Sequence, residues 1–323
     1  MRIRLPAACE LLALALASSA VMAQNYPAKP IQIISGTGFG NPGDVTLRAI
    51  APKMSAALGQ PVIVETRAGA SGAIATVAVA KAPPDGYTLL YGTSILATAP
   101  FLIKNPPYEV QRDLTPVSFV VSVPSVIAIT ASLPVNSVKE LIDYAKKNPG
   151  KLSYAHTGAG LALNLIGESL NQYSGIDLVG VPYKASGSTL VNDFLSGRVQ
   201  VYFAALGTVR PHVGPGKVKL VGVINGSRLR QIPDVPTINE TLPDYYNIAA
   251  WFAFLGPAGM PRPIADRIAL ETRKALDDPQ ITAQVEAFGL FIVGSRPDEF
   301  AAIIRRESEV MGKLIKSLGI VPE

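Results

Sequence analysis

The chain has 323 residues, which is long enough for two α/β lobes that each bury a core of their own. Hydrophobic residues make up 48% and charged residues 16% of the sequence, a composition that excludes a disordered chain. The formal net charge is +5, but the basic residues are scattered and form no run with interleaved aromatic residues. The charge pattern therefore argues against nucleic-acid binding.

The first 23 residues have the pattern of a secretory signal peptide. Arg2 and Arg4 give a positive start, residues 11–17 are apolar, and residues 21–23 (Val-Met-Ala) fit the small-x-small rule for cleavage. The alternative, a membrane anchor, is disfavoured because the apolar run at 11–23 is too short to span a bilayer. We expect an exported, periplasmic protein whose mature chain begins at Gln24.

Cysteine and histidine usage limits the possible chemistry. Cys9 is the only cysteine, and its loss with the leader removes disulfides, thiolate metal sites and cysteine nucleophiles. His156 and His212 are the only histidines, and neither accompanies an acid-paired nucleophile or a cluster at metal-ligand spacing. We therefore predict no metal site, no cofactor and no enzymatic activity.

From residue 30 to residue 91 the sequence alternates short strands with helices. Strands are predicted at 30–35, 61–65 and 87–91, with helices at 44–59 and 74–81 between them. The first helix is expected to begin at Asp44 as its N-cap and to kink or restart at Pro52. This rhythm is typical of a parallel sheet.

The pattern changes after residue 116. The apolar segment 117–126 predicts a strand that passes from one lobe to the other and continues to residue 130. A helix capped by Ser137, with Glu140 three residues on, then precedes a second βαβ block. This block comprises strands at 151–155, 178–182 and 199–204 and helices at 163–173 and 188–196. An apolar strand at 219–223 is expected to cross back, and helices at 264–276 and 298–318 close the chain.

These elements predict an α/β fold of two lobes, joined by crossing hinge strands, with a ligand cleft between them. Lobe 1 is expected to be discontinuous, with residues 24–123 and 227–323, and lobe 2 to comprise residues 124–226. We expect the protein to be a monomer.

Two glycine-rich loops, one in each predicted lobe, are candidate ligand sites. Each follows a strand and precedes a helix, so bare backbone N–H groups and a helix N-terminus suit an anion such as a carboxylate. The candidate contacts of the first loop are Ser35, Gly36, Thr37, Gly38, Phe39, Asn41 and Asp44. Those of the second are His156, Thr157, Gly158, Ala159, Gly160 and Asn164, and Ser94 and Trp251 are candidate walls of the cleft.

Several of these residues also fit structural roles that involve no ligand. The first loop matches a dinucleotide fingerprint only in part, because Asn41 occupies the position of the last glycine and an exported protein has little access to nicotinamide cofactors. Asp44 is favoured as a helix cap over a ligand contact. The loop 157–160 fits a simple turn as well as it fits a site. His156 is equally consistent with a surface histidine, and Trp251 with a core residue.

Seven short motifs, in the right order, resemble the Bug-type solute receptors, which are the substrate-binding proteins of tripartite tricarboxylate transporters. The similarity extends from residue 26 to about residue 320. The motifs are Tyr26-Pro-x-Lys-Pro-Ile, Gly59-Gln-Pro-Val-x-Val-Glu, Ala80-Lys-Ala-x-Pro-Asp-Gly-Tyr-Thr-Leu-Leu, Asn148-Pro-Gly-Lys-Leu-x-Tyr, Val181-Pro-Tyr-Lys, Ile232-Pro-Asp-Val-Pro-Thr and Pro257-Ala-Gly-x-Pro.

The resemblance implies a type II periplasmic binding fold and a small ligand bearing carboxylate groups. Backbone groups and ordered waters of two opposing loops would hold the carboxylates, and the receptor would deliver its ligand to the membrane subunits of a tripartite transporter. By position, the aspartate and arginine of the family match Asp44 and Arg48. The chain departs from the family where glycines replace prolines in residues 36–41, where His156 replaces a serine, and where Asn164 replaces a frequent histidine.

Two further hypotheses come from other functional classes. A periplasmic sensor would present its closed form to a membrane signalling protein, and the sequence does not separate this role from uptake. An exported enzyme on the same scaffold is opposed by the lack of an evident set of nucleophile, base and acid.

Overall fold

The computed structural model describes residues 26–183, 187–248 and 250–322. The predicted signal peptide, residues 1–23, lies outside the described residues. Two mixed sheets, of six and five strands, form the framework of this part of the chain. Among the described residues, none of the helices combines the length and the apolar character that crossing a bilayer requires.

The first half of the chain confirms the predicted alternation of strands and helices. The elements are β1 (Ile31–Ser35), α1 (Pro42–Leu58), β2 (Val62–Thr66), a 3₁₀ turn (Ala70–Gly72), α2 (Ala73–Ala80), β3 (Thr88–Thr93), α3 (Ile95–Leu102), α4 (Val110–Asp113) and β4 (Leu114–Val123). β1 pairs in parallel with β2 on one side and with β3 on the other. The helices α3 and α4 were not predicted.

The second βαβ block builds the other sheet. The elements are β5 (Ser125–Thr130), α5 (Val138–Lys147), β6 (Ser153–His156), α6 (Ala162–Ser174), β7 (Val179–Pro182), α7 (Gly187–Leu195), β8 (Val201–Ala205), α8 (Leu206–Val209), a 3₁₀ turn (Arg210–His212) and β9 (Val218–Ile224). The strand order is β7-β6-β8-β5-β9, in which β6 runs parallel to β7 and β8, whereas β5 runs antiparallel to β8 and β9.

The C-terminal part returns to the first sheet. The elements are a 3₁₀ turn (Ile238–Glu240), β10 (Ala250–Pro257), α9 (Arg262–Leu276), α10 (Pro279–Ala287), β11 (Phe291–Ile292) and α11 (Pro297–Ser317). The strand order of the first sheet is β11-β4-β10-β3-β1-β2, in which β10 lies antiparallel between β3 and β4. Sequence reasoning missed α10 and β11, and left residues 251–261 without an assigned element.

The two crossings between the sheets differ from each other. β4 leads into β5 through Pro124 alone, so the predicted crossing strand over 117–126 is confirmed. The return is not made by residues 219–223, because β9 stays paired with β5 along its length. The chain leaves the second sheet only after Ile224 and reaches the first again at β10.

The last helix, α11, packs against both lobes. Its first half buries Phe300 and Ile304 among residues of the first sheet, and its second half buries Met311 and Leu314 in the core of the second. Residues 238–248 also contribute side chains to that second core. The lobe boundaries at 123 and 227 stay a prediction, and part of 227–323 packs away from the first sheet.

Helix starts follow local capping chemistry. At α5, Ser137 Oγ accepts a hydrogen bond from Glu140 N at 3.1 Å, as the sequence predicts. At α1 the predicted N-cap, Asp44, is wrong. Asn41 is the cap, because its side chain accepts from Asp44 N at 3.0 Å and Pro42 suits the first helical position, where no N–H partner is needed. The helix then runs to Leu58 without a restart at Pro52.

Candidate functional site

A cavity of about 270 Å³ lies between the two lobes. Both lobes, β10 and α11 contribute to its lining, and its size suits a small ligand. Its walls are Thr93, Ser94, Ile95 and Thr98; Gly160, Leu161, Ala162 and Leu165; Ile248, Ala250, Trp251 and Phe252; and Glu307 and Met311.

Two helix N-termini reach this cavity, one from each lobe. Ser94 and Ile95 begin α3, and Leu161 and Ala162 begin α6. Neither helix has a side-chain cap. The N–H groups of a first helical turn have no partner inside the helix and carry partial positive charge, so these two starts can receive an anion.

A buried network fixes the second loop at the mouth of α6. Gly160 N donates to Asn164 Oδ1 at 2.9 Å, and Asn164 Nδ2 donates to the Tyr154 hydroxyl at 2.9 Å. That hydroxyl donates in turn to Glu168 Oε1 at 2.7 Å, and burial, followed by this bond, raises the pKa of Tyr154. Asn164 therefore positions the loop, because its amide is already used within the protein.

Two features favour glycine at position 160. Its φ of +73° lies in the left-handed region that favours glycine. A Cβ at this position would also lie 2.3 Å from Cδ2 of Leu102, at the end of α3 in the other lobe. The second loop and α3 therefore touch directly beside the cavity.

The polar groups of the first loop satisfy one another. Asp44, which is buried, accepts from Gly40 N at 3.0 Å and pairs with Arg48 Nε at 3.0 Å. Asn41 caps α1 and also donates to Gly38 O. The carboxylate and the cap thus use two N–H groups, those of Gly40 and Asp44, that an anion could otherwise find at this helix start.

The other first-loop candidates do not line the cavity either. Ser35 is buried, and its hydroxyl lies 3.0 Å from that of Thr37. Gly36 packs against Gly72, since a Cβ added at Gly36 would lie 3.1 Å from Cα of Gly72. Phe39 is 74% exposed, with the Arg48 guanidinium 5.0 Å from its ring centroid.

Phe252 lies between the start of α1 and the cavity. It is a cavity wall, and it stacks on Tyr91 with ring centroids 5.7 Å apart. A Cβ at Gly43, in the first turn of α1, would lie 2.3 Å from Cε1 of Phe252. The start of α1 therefore lies behind this ring.

His156 is a buried residue and not the surface histidine that the sequence left open. It is 6% exposed at the end of β6, 5.7 Å from the Tyr154 ring, and its Nδ1 has no partner among the described residues. The following residues, Thr157, Gly158 and Ala159, lie in the loop but are not cavity walls.

Of the sequence candidates, the structure places Ser94, Gly160 and Trp251 together at the cavity. Trp251 is 2% exposed, so the core and wall interpretations both describe it. Its indole Nε1 donates to Glu307 Oε2 at 2.6 Å. Burial raises the pKa of Glu307 to about 7, against the lowering effect of this bond.

Sequence reasoning missed Glu307 although α11 carries a signal for it. The buried positions of this helix include Phe300, Ile304, Met311 and Leu314, a helical spacing on which Glu307 falls on the same face. An acid within an apolar stripe is unusual enough to mark a candidate. Among the described residues, no group of three or more His, Cys, Asp or Glu could hold a metal ion.

Known proteins match this architecture over nearly its whole length. The family model for the tripartite tricarboxylate transporter family receptor matches residues 46–320. A UPF0065 protein of Bordetella bronchiseptica is 38% identical, over 96% of this chain and 91% of the relative. Protein BugT of Bordetella pertussis is 33% identical, over 93% of this chain and 92% of the relative.

Solved structures agree with the sequence relatives. The periplasmic binding protein BugD superposes with a TM-score of 0.68 at 32% identity, covering 92% of this chain and 100% of BugD. Rpa4515 of R. palustris, solved with adipate, gives 0.71 at 29% identity, covering 92% and 100%. MatC of Rhodopseudomonas palustris, solved with malate, gives 0.65 at 27%, covering 90% and 100%. The fold is that of the two-lobed periplasmic binding proteins, and the chain belongs to the tripartite tricarboxylate transporter receptor family of solute-binding proteins.

Proposed function

We propose that this chain is a periplasmic receptor that binds a small, carboxylate-bearing organic solute and delivers it to a tripartite tricarboxylate-type membrane transporter. One observation carries the proposal: the starts of α3 and α6 enter one interlobe cavity from opposite lobes, and neither has a side-chain cap. A carboxylate placed between them would receive N–H groups from both lobes. Binding would thus hold the lobes together.

The comparisons support the ligand class. Two structural neighbours were solved with dicarboxylates, adipate in one case and malate in the other. Of the residues nominated from sequence, we propose that Ser94, Gly160 and Trp251 face the ligand. The first loop, residues 35–44, supports the wall formed by Phe252.

A thermal-shift screen on ligand-stripped protein tests carboxylate binding. A ligand at a hundredfold excess over its Kd stabilises the native state by about 2.7 kcal/mol, which raises Tm by several degrees. Adipate, malate and mono-carboxylates are the probes, and the corresponding amides and alcohols are their uncharged controls. A shift with acids but not with controls is expected. No shift with any acid would contradict the proposal.

Export is a separate part of the proposal. Residues 1–23 would be removed as a signal peptide, so that the mature chain starts at Gln24. Intact-mass measurement of the protein from a periplasmic fraction would show this start. A full-length chain retained in the cytoplasm would refute export without affecting ligand binding. Light scattering on the same material tests whether the receptor is a monomer.

Delivery to a transporter needs a cellular measurement. Uptake of a bound, labelled acid should require both this receptor and the membrane subunits of a tripartite transporter. Uptake that continues without the receptor would leave it as a binding protein with another partner.

A further inference from the structure

The interlobe cavity also contains an acidic residue, Glu307, that has no role in the carboxylate binding proposed above. Glu307 is 5% exposed and belongs to the cavity wall. No basic nitrogen among the described residues lies within 4.0 Å of its carboxyl group. The neighbouring cation on the same helix, Arg306, pairs with Glu309 instead. A buried carboxyl without a cation is costly, so its retention requires an explanation.

Trp251 fixes the orientation of this acid. Its indole Nε1 donates to Glu307 Oε2 at 2.6 Å, and the indole packs edge-on against Phe300 with ring centroids 5.3 Å apart. No other hydrogen-bond donor to Glu307 occurs among the described residues. The second carboxyl oxygen is thus available to a group inside the cavity.

The remaining walls between these polar groups are largely apolar. Ile95, Leu165, Phe252 and Met311 contribute aliphatic, aromatic and thioether surface to the cavity. The cavity therefore offers a positive end at the starts of α3 and α6, an apolar middle, and one acid held by an indole.

We infer that the ligand is a zwitterionic amino acid with an apolar body, whose carboxylate meets the N-terminal turns of α3 and α6 and whose ammonium group meets Glu307. The inference rests on the proposed function and narrows its ligand class. An ammonium group supplies the cation that Glu307 lacks and has donors for the free carboxyl oxygen. A dicarboxylate would bring a second anion to a buried acid and be disfavoured.

Matched ligands that differ only at the ammonium position test this inference by calorimetry at pH 7.5 on ligand-stripped protein. One series is 6-aminohexanoate, hexanoate and adipate, and the other is leucine and 4-methylpentanoate. In at least one series we expect the amine-bearing member to bind at least tenfold more tightly than its amine-free partners. Equal or tighter binding of the amine-free acids in both series would overturn the inference and leave the proposed function intact.

The Glu307→Gln variant tests the residue itself, because a glutamine oxygen can still accept from the Trp251 indole. The preference for the amine should fall below threefold in this variant. Glu309→Gln is the matched control, since Glu309 lies on the same helix with its side chain 55% exposed and outside the cavity. It should retain the full preference.

The remaining outcomes also decide the matter. A Glu307→Gln protein that folds and keeps the tenfold preference would remove Glu307 from ligand recognition and overturn the inference. If the variant does not fold, the wild-type ratios decide alone. If none of the five probes binds to the wild-type protein, the inference fails, whereas the proposed function is decided separately by the thermal-shift screen of acids.

Discussion

The starts of α1 and α6 are alike in sequence and opposite in structure. Each follows a glycine-rich loop at the end of a parallel strand, one in each lobe. At α1, Asn41 caps the helix and Asp44 takes a loop N–H and pairs with Arg48. At α6 the cap position holds Leu161, which has no acceptor.

The difference shows that side chains at the cap and in the first turn decide whether a helix start can receive a ligand. Glycine content alone does not decide it. At α3 the cap position does hold a serine, but Ser94 has helical backbone angles (φ −56°, ψ −18°) and makes no side-chain cap. A capping residue normally has extended angles. The starts of α3 and α6 therefore stay open, and both reach the cavity.

The largest expected effect comes from the contact that holds the α6 start in place. Gly160→Val would force a branched residue into φ +73° and drive its Cβ against Leu102. The backbone cost of about 1–2 kcal/mol and the overpacking cost of about 1–3 kcal/mol predict a loss of about 2–5 kcal/mol in unfolding free energy. Urea denaturation measures it.

Gly158→Ala is the control in the same loop. Gly158 has no positive φ, and its nearest neighbour to an added Cβ is Leu161, a side chain 39% exposed, at 3.2 Å. We expect a change below about 1 kcal/mol. Equal losses in the two variants would show that Gly160 has no special role.

The two buried acids, Asp44 and Glu307, extend the comparison to pH dependence. Asp44 has Arg48 as its cation, whereas Glu307 has none, and burial raises the pKa of Glu307 from 4.5 to about 7. The folded state then binds more protons than the unfolded state between these values. Stability should be greatest below pH 4.5 with respect to this group, and up to about 3 kcal/mol should be lost as pH rises to about 7.

Glu307→Gln should flatten this part of the stability curve, measured by urea denaturation at half-unit pH steps. The neighbouring Tyr246 does not titrate in the same range, because burial raises its pKa further above its ordinary value of 10.0. Glu309→Gln, at an exposed position, should keep the slope. A variant curve parallel to wild type between pH 4.5 and 7 would assign the slope to other groups.

The sequence predicted β1 to β9 and most of the helices because their signals are local. Alternating short strands, the Ser137 cap and the glycine at position 59 depend on neighbours within a few residues. The short β11 and the helix α10 were missed, and both depend on what they pack against. The return after Ile224 was also misplaced, since an apolar strand at a sheet edge and one that crosses have the same pattern.

The candidate site was harder to predict for the same reason. Both glycine loops looked suitable for an anion, and the sequence does not show that Phe252 stands between the start of α1 and the cavity. The start of α3 follows a single glycine, Gly92, which lies within β3 and not in a glycine-rich loop. Glu307 reaches the cavity from α11, more than fifty residues beyond Trp251, and only tertiary packing brings the two together.

The contacts of Asp44 indicate that this first-loop acid has a structural role. Asp44→Asn would weaken the pair with Arg48 and the bond from Gly40 N, for a loss of about 1–3 kcal/mol, while affinity for the acid ligand changes less than threefold. Asp143→Asn is the control, because Asp143 pairs with Lys139 at 2.6 Å on the surface and should matter far less to stability. A tenfold loss of affinity in Asp44→Asn with unchanged stability would make Asp44 a ligand contact.

The smallest expected change in stability comes from giving α6 a side-chain cap like that of α1. Leu161→Asp places an acceptor at the cap of an open helix start, at a side chain already 39% exposed. The new cap should stabilise the ligand-free protein by about 1 kcal/mol, because it satisfies first-turn N–H groups. The same carboxylate should compete with the bound anion for those groups and repel it, so affinity should fall at least tenfold, about 1.4 kcal/mol.

Leu161→Asn is the matched variant, since it caps without charge and should lose less affinity. Thermal unfolding and calorimetry measure both quantities on the same samples. Unchanged affinity in a stabilised Leu161→Asp protein would place the ligand carboxylate away from α6, and the contrast between the two helix starts would then concern folding alone.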